Sequence, residues 1–78
     1  MLKRSVVVAG HRTSVSLENV FWDALLEAAS ERNVSINDLV TEIDRDRTRS
    51  LSGAIRMFVL AVSRARAAGH QDFPPGPF

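Results

Sequence analysis

Residues 12–17 alternate between two kinds of side chain, and one of the two kinds can bind nucleic acid. Successive side chains of a β-strand point to opposite faces, so an extended conformation would sort these residues into two rows. The first row consists of one cation and two small hydroxyl groups: Arg12, Ser14 and Ser16. The second row suits a protein core: Thr13, Val15 and Leu17. In the DNA major groove arginine hydrogen-bonds guanine and serine hydrogen-bonds several bases, so the first row could contact base edges. The other interpretation is a half-buried strand whose polar face meets only water.

The chain has 78 residues, which is enough for one domain with a small core. A chain of this size is only marginally stable alone and commonly gains stability from disulfides, a metal or oligomerisation. It has no cysteine, and its two histidines, His11 and His70, have no partners at metal-ligand spacing. We therefore expect a homodimer with no metal and no cofactor.

Charge is distributed unevenly along the sequence, although the net charge is only +1. Residues 1–17 contain three basic side chains and no acid, residues 18–44 contain seven acids against one arginine, and residues 45–66 contain six arginines against one acid. Local positive potential matters more than net charge for a polyanionic partner. The layout supports binding to DNA, although ordinary solvated charge would look similar.

Several classes of protein do not fit the sequence. No apolar run approaches the length of a transmembrane helix, and residues 1–10 lack the apolar centre of a signal peptide, so we expect a soluble cytoplasmic protein. Ser14 and His11 are not accompanied by a glycine-rich nucleophile elbow or an oxyanion loop. We therefore do not expect an enzyme.

Hydrophobic periodicity predicts a domain over residues 1–70 that is mainly α-helical, with a short strand at residues 12–17. Residues 4–9 are a second extended segment, which can pair either with its own chain or with a partner chain. The first helix has an unusually wide apolar face, and the third is apolar nearly all round between Ala54 and Ala61, which predicts burial against a second copy. Residues 71–78, with three prolines and a glycine, are expected to form a flexible tail. The helices are expected at residues 19–32, 36–46 and 51–68.

The order of strand, helix, short joint and helix resembles the ribbon-helix-helix superfamily of MetJ/Arc-type repressors. The resemblance covers residues 12–43, and the segments 11–18, 21–22 and 51–56 look like a compact bacterial group of these domains with an added third helix. It implies a homodimer in which residues 12–17 of two chains pair antiparallel into a ribbon that enters the major groove. By position, the residues that match the family's base-facing side chains are Arg12, Ser14 and Ser16.

The resemblance also implies that a helix N-terminus binds a DNA phosphate, because free amides and the helix dipole attract an anion. The matching positions are Ser35, Ile36 and Asn37, where the Ser35–Asp38 pattern fits a capping box. Ser50 or Ser52, which follow several arginines, could instead begin the phosphate-binding helix. Lys3 and Arg4 are further candidates for phosphate contacts, as parts of a flexible arm.

The first functional hypothesis is a sequence-specific DNA-binding protein, most simply a transcriptional regulator such as a repressor, with double-stranded DNA and a second copy as partners. The second is an antitoxin-like or dimerisation module that binds a partner protein and has no DNA specificity of its own. The sequence leaves open whether dimers stack into larger assemblies on DNA.

Overall fold

The computed structural model describes residues 1–69 and 74–78. Two strands are followed by three helices, which confirms the mainly α-helical fold with a short β-ribbon. The helices begin at the expected residues and end one or two residues earlier than the sequence pattern placed them. In chain order the elements are β1 (Leu2–Val8), β2 (His11–Leu17), α1 (Asn19–Glu31), α2 (Ile36–Asp44) and α3 (Leu51–Ala67).

The two strands form an antiparallel hairpin in which Leu2 lies opposite Leu17 and Val8 lies opposite His11. The turn between them consists of Ala9 and Gly10, with φ angles of 49° and 82°. A two-residue turn of type I′ requires positive φ at both positions, because its twist then matches that of the strands. The open question about residues 4–9 is thereby answered: residues 4–8 pair with β2 of their own chain, and Ala9 belongs to the turn.

The core lies between the inner face of the hairpin and the three helices. Val15 and Leu17 are 4% and 0% exposed, so the row predicted to face inward does so. Trp22 is buried, as expected for a residue on the apolar stripe of α1, and its Nε1–H donates a 2.8 Å hydrogen bond to the Leu2 carbonyl. The rest of the buried cluster comes from β1, the three helices and the last residue of the chain: Val6, Val8, Leu25, Ala28, Ala29, Leu39, Val40, Ile43, Ala54, Ile55, Phe58, Val62 and Phe78.

Local signals explain where the helices begin and end. Asn33 has a φ of 56°, and the Val34 N–H donates to the Ala29 carbonyl, so the chain leaves α1 through a left-handed residue. Ser35 and Ser50 cap α2 and α3, because each side chain accepts a hydrogen bond from an amide three residues later. Between these helices, residues 45–49 contain no apolar side chain that could continue the buried stripe of α2.

The sequence predicts a flexible tail at residues 71–78, of which the structure describes residues 74–78. Residues 70–73 lie outside the described part of the structure. Phe78, however, is buried and packs edge-on against Phe58, with ring centroids 5.7 Å apart. Its carbonyl also accepts hydrogen bonds from the amide and hydroxyl of Thr48. A phenylalanine isolated among prolines has no periodicity, so its packing left no signal in the sequence.

Candidate nucleic-acid interface

The outer face of the hairpin collects the residues predicted to contact DNA bases. Arg12 and Ser14 are exposed and Ser16 is half-buried. The strand register places three β1 residues beside them on the same face: Val7 opposite Arg12, Ser5 opposite Ser14, and Lys3 opposite Ser16. Arg12 makes no ion pair with any described residue, so its guanidinium is available to a ligand.

The outer edge of β2 pairs with no other strand in the described part of the chain. In an antiparallel pair, residues alternate between those bonded to the partner strand and those whose backbone groups point away from it. The Val7 N–H donates to the Asn37 side chain, so the Val7–Arg12 pair is of the second kind. By the same alternation, the residues with backbone N–H and C=O groups directed to the free edge of β2 are Arg12, Ser14 and Ser16.

The outer edge of β1 is covered by α2 at its turn end. Asn37 Oδ1 accepts a 3.0 Å hydrogen bond from the Val7 N–H, and Thr41 Oγ1 accepts a 3.3 Å hydrogen bond from the Ala9 N–H. These two side chains lie one helical turn apart, so one face of α2 follows the edge of the strand. The hairpin therefore has one edge that α2 partly covers and one open edge.

Lys3 and Arg4 are neighbours in sequence but lie on opposite faces of the hairpin. Both belong to β1, so the expectation of a flexible arm is wrong. Lys3 is exposed on the outer face with Arg12. Arg4 lies on the inner side, where its guanidinium carbon is 5.6 Å from the centroid of the Trp22 ring, a cation–π contact. Of these two residues, Lys3 shares a surface with the predicted base-contacting row and Arg4 does not.

The start of α2 offers backbone groups rather than side chains to an anion. Ser35 Oγ accepts from the Asp38 N–H at 3.0 Å, Ile36 is half-buried against the core, and the Asn37 side chain is bound to Val7. The N–H groups of Ile36 and Asn37 have no intrahelical acceptor, because they belong to the first turn. Through the Asn37–Val7 bond, this helix start lies beside the outer edge of β1.

The start of α3 lies beside the other edge of the hairpin. Leu51, Ser52 and Arg56 line a groove together with residues 13–16 of β2. Two of the three arginines just before this helix are already engaged, since Arg45 pairs with Glu42 and Arg47 pairs with Asp44. The positive charge for which the sequence suggested a phosphate site at the start of α3 is therefore largely neutralised.

Arg56 has a structural role that sequence reasoning missed. Its Nε lies 2.9 Å from Glu18 Oε1, and its guanidinium carbon lies 5.9 Å from the centroid of the Phe21 ring. The hydrogen bond from Arg56, together with the backbone hydrogen bond of Glu18, lowers the pKa of the Glu18 carboxyl from its ordinary value of 4.5. The pair joins the end of β2 to α3. Its two residues are 38 positions apart in the sequence, so no local sequence pattern could predict the contact.

Other kinds of site are not found in the described part of the chain. No described helix is both long enough and apolar enough to cross a lipid bilayer. Residues 1–69 and 74–78 also contain no group of three His, Cys, Asp or Glu side chains placed to hold a metal ion.

Comparison with known proteins gives one match. The sequence model of the ribbon-helix-helix domain matches residues 1–62. No curated protein and no solved structure matches the chain. The matched region begins before β1 and reaches Val62 in α3, so it extends beyond the segment 12–43 on which the resemblance first rested. The first strand and most of the third helix therefore belong to the domain.

Proposed function

Since this chain belongs to the ribbon-helix-helix domain family, whose members generally bind DNA in transcriptional regulators and antitoxins, we propose that it is a homodimeric, sequence-specific DNA-binding protein. The proposed role is that of a transcriptional regulator, acting as a repressor in the bacterial cytoplasm. Its ligand is double-stranded DNA, which it reads in the major groove with strand β2 of each chain.

The open edge of β2 is the observation that carries this proposal. An unpaired edge presents a row of free N–H and C=O groups that can pair with another chain. Pairing with β2 of a second copy about a two-fold axis would make an antiparallel ribbon, since the same edge serves in both chains. The two copies of Arg12, Ser14 and Ser16 would then form one continuous polar surface.

Exposed apolar side chains support the dimer. Val20 on α1 is 70% exposed, and Leu60 on α3 is 44% exposed. Burying apolar surface contributes about 25 cal/mol per Å², which a small domain needs because its own core is limited. A second copy that covered part of this surface would stabilise both chains.

In the proposed complex, base contacts and phosphate contacts come from different elements. Arg12 carries five donors in a planar fork that fits guanine O6 and N7, and one such contact discriminates against the wrong base by about 1–3 kcal/mol. Ser14 and Ser16 are short enough to fit beside a second strand in the groove. At the outer side of the hairpin, the free first-turn N–H groups of Ile36 and Asn37, with Ser35 as cap, would hold a phosphate.

A second candidate function is an antitoxin-like or dimerisation module that binds another protein. Met57 and Leu60 are 39% and 44% exposed on α3, and Met57, Leu60 and Ala61 line a shallow apolar groove with Pro75 and Pro77. A stoichiometric second protein that co-purifies with the chain, and is lost on Leu60→Glu, would favour this function over independent DNA recognition.

Selection of bound sequences from randomised DNA tests the first proposal. We expect one short palindromic site for the wild-type chain, and a loss of about tenfold or more in affinity for that site with Arg12→Ala. The matched control is Arg64→Ala. It removes an exposed arginine that lies about 20 Å along α3 from the helix start beside β2, and it should leave site preference unchanged. Selection of the same site by Arg12→Ala with unchanged affinity would contradict the assignment of Arg12.

A further inference from the structure

The first strand adds width to the surface that would meet DNA. Because α2 binds the N–H groups of Val7 and Ala9 at the turn end of β1, the edge that is free along its length for a second copy is that of β2. The order of strands across a dimer would then be β1, β2, β2 of the partner subunit and β1 of the partner subunit. The resulting sheet would have four strands, with β1 on both outer sides.

A sheet of this width does not fit on the floor of the major groove. Adjacent strands are spaced by about 4.8 Å, so the axes of the two outer strands would lie about 14 Å apart. The groove is about 12 Å wide and admits two strands. If the two β2 strands occupy the groove, the two β1 strands stand over its rims, where the phosphate groups lie.

The outer face of β1 has the chemistry of a phosphate-binding surface. Lys3 and Ser5 point to the same side as Arg12, and both are exposed. Lys3 makes no ion pair with any described residue, so its ammonium group is not already neutralised. Lysine and serine side chains are common donors to phosphate oxygens.

We propose that β1 is a rim strand: Lys3 Nζ and Ser5 Oγ bind phosphate oxygens at the two edges of the major groove, one set from each chain. This inference rests on the proposed DNA-binding function and on pairing through β2. It assigns Lys3 a phosphate contact and assigns none to Arg4, whose side chain lies on the other face beside Trp22.

The salt dependence of DNA affinity separates these two residues. Each phosphate contact contributes about 0.9 to the slope of log affinity against log salt concentration. Lys3→Gln should therefore reduce the slope by about 1.8 for a dimer. Between 50 and 200 mM salt, the variant should lose about tenfold less affinity than the wild-type chain.

Arg4→Gln is the matched control, because it removes the same charge one residue away. We expect it to leave the slope nearly unchanged, since its side chain faces the helices. Ser5→Asp should weaken binding to every DNA sequence by a similar factor, because a carboxylate would face phosphate. Both results are measured on the full chain with the duplex that the wild-type chain selects, after circular dichroism has shown that each variant is folded.

Four outcomes would overturn the inference. Equal changes in slope for Lys3→Gln and Arg4→Gln would show that only overall charge matters. A Lys3→Gln variant that selected a different base at one position would place β1 on the groove floor. An unchanged slope for Lys3→Gln, in a chain that still selects its site through Arg12, would remove the rim contact and leave the proposed function intact. Failure of the wild-type chain to select any site would remove both.

Discussion

The two edges of the hairpin are built differently, although the strands are equal in length and similar in composition. At the turn end of β1, the side chains of Asn37 and Thr41 occupy the N–H groups of Val7 and Ala9, which would otherwise be available to another strand. Along β2, Arg12, Ser14 and Ser16 direct their backbone groups away from the chain. The contrast teaches that partial cover of one edge favours addition of a second chain at the other, because β2 has the longer free edge for strand pairing.

The largest effect that would test this contrast comes from proline at the two opposed serines, Ser14 and Ser5. Neither N–H bonds the other strand of the hairpin, so proline removes no hairpin bond at either position. Ser14→Pro removes a donor from the open edge and should abolish dimerisation, as measured by sedimentation equilibrium. Ser5→Pro acts on the edge of β1 and should leave the dimer intact. Loss of the dimer in both variants, or in neither, would show that the open edge does not join the chains.

A smaller effect on stability is expected from replacing Asn37, whose side chain binds the edge of β1. Asn37→Leu removes the acceptor for the Val7 N–H and should lower the free energy of unfolding by about 0.5–1.5 kcal/mol, as measured by urea titration. Asn37→Asp keeps an oxygen at the same place and serves as the control. Because the Val7 N–H is released, Asn37→Leu should also self-associate beyond a dimer. A variant that kept wild-type stability and wild-type size would show that this side chain does not protect the edge.

The smallest effect concerns the ion pair that ties the end of β2 to α3. Arg56 lowers the pKa of Glu18, so the folded state holds the ionised carboxylate more strongly than the unfolded state does. The resulting stability is present above the ordinary pKa of 4.5 and is lost as the pH falls through the lower pKa of the folded state. Glu18→Gln should therefore show a slightly flatter fall in unfolding free energy below about pH 4.5.

Arg56→Gln should flatten the same part of the curve, because it removes the partner that lowers the pKa. The double variant should add nothing further. Thermal unfolding over pH 3 to 7 measures all three curves. Identical pH dependence in Glu18→Gln and the wild-type chain would contradict this role for the pair.

The sequence was informative where the structure is periodic or local. Alternation from Ser14 to Leu17 predicted which side chains of β2 face the core, and Ser35 and Ser50 marked the starts of α2 and α3. The dependence on a second chain remains a prediction, since it follows from exposed surface rather than from a contact.

Other features could not be predicted because they depend on contacts between distant segments. Alternation sorts the faces of a strand but does not say which chain pairs with its edges, so the position of β1 was left open. The bond from Val7 to Asn37 joins residues 30 positions apart, and a single asparagine leaves no pattern. Lys3 and Arg4 looked equivalent until the register of the hairpin placed them on opposite faces.

The two-residue turn at Ala9 and Gly10 has a consequence for how two chains meet. Because the turn has only two residues, β1 pairs directly with β2 and holds it in an extended conformation. The backbone of β2 therefore loses little further conformational entropy when two chains associate. Two chains would then meet as pre-organised surfaces, and the entropic penalty of encounter would be small. Dimer assembly should thus be the association of two already folded chains rather than folding coupled to assembly.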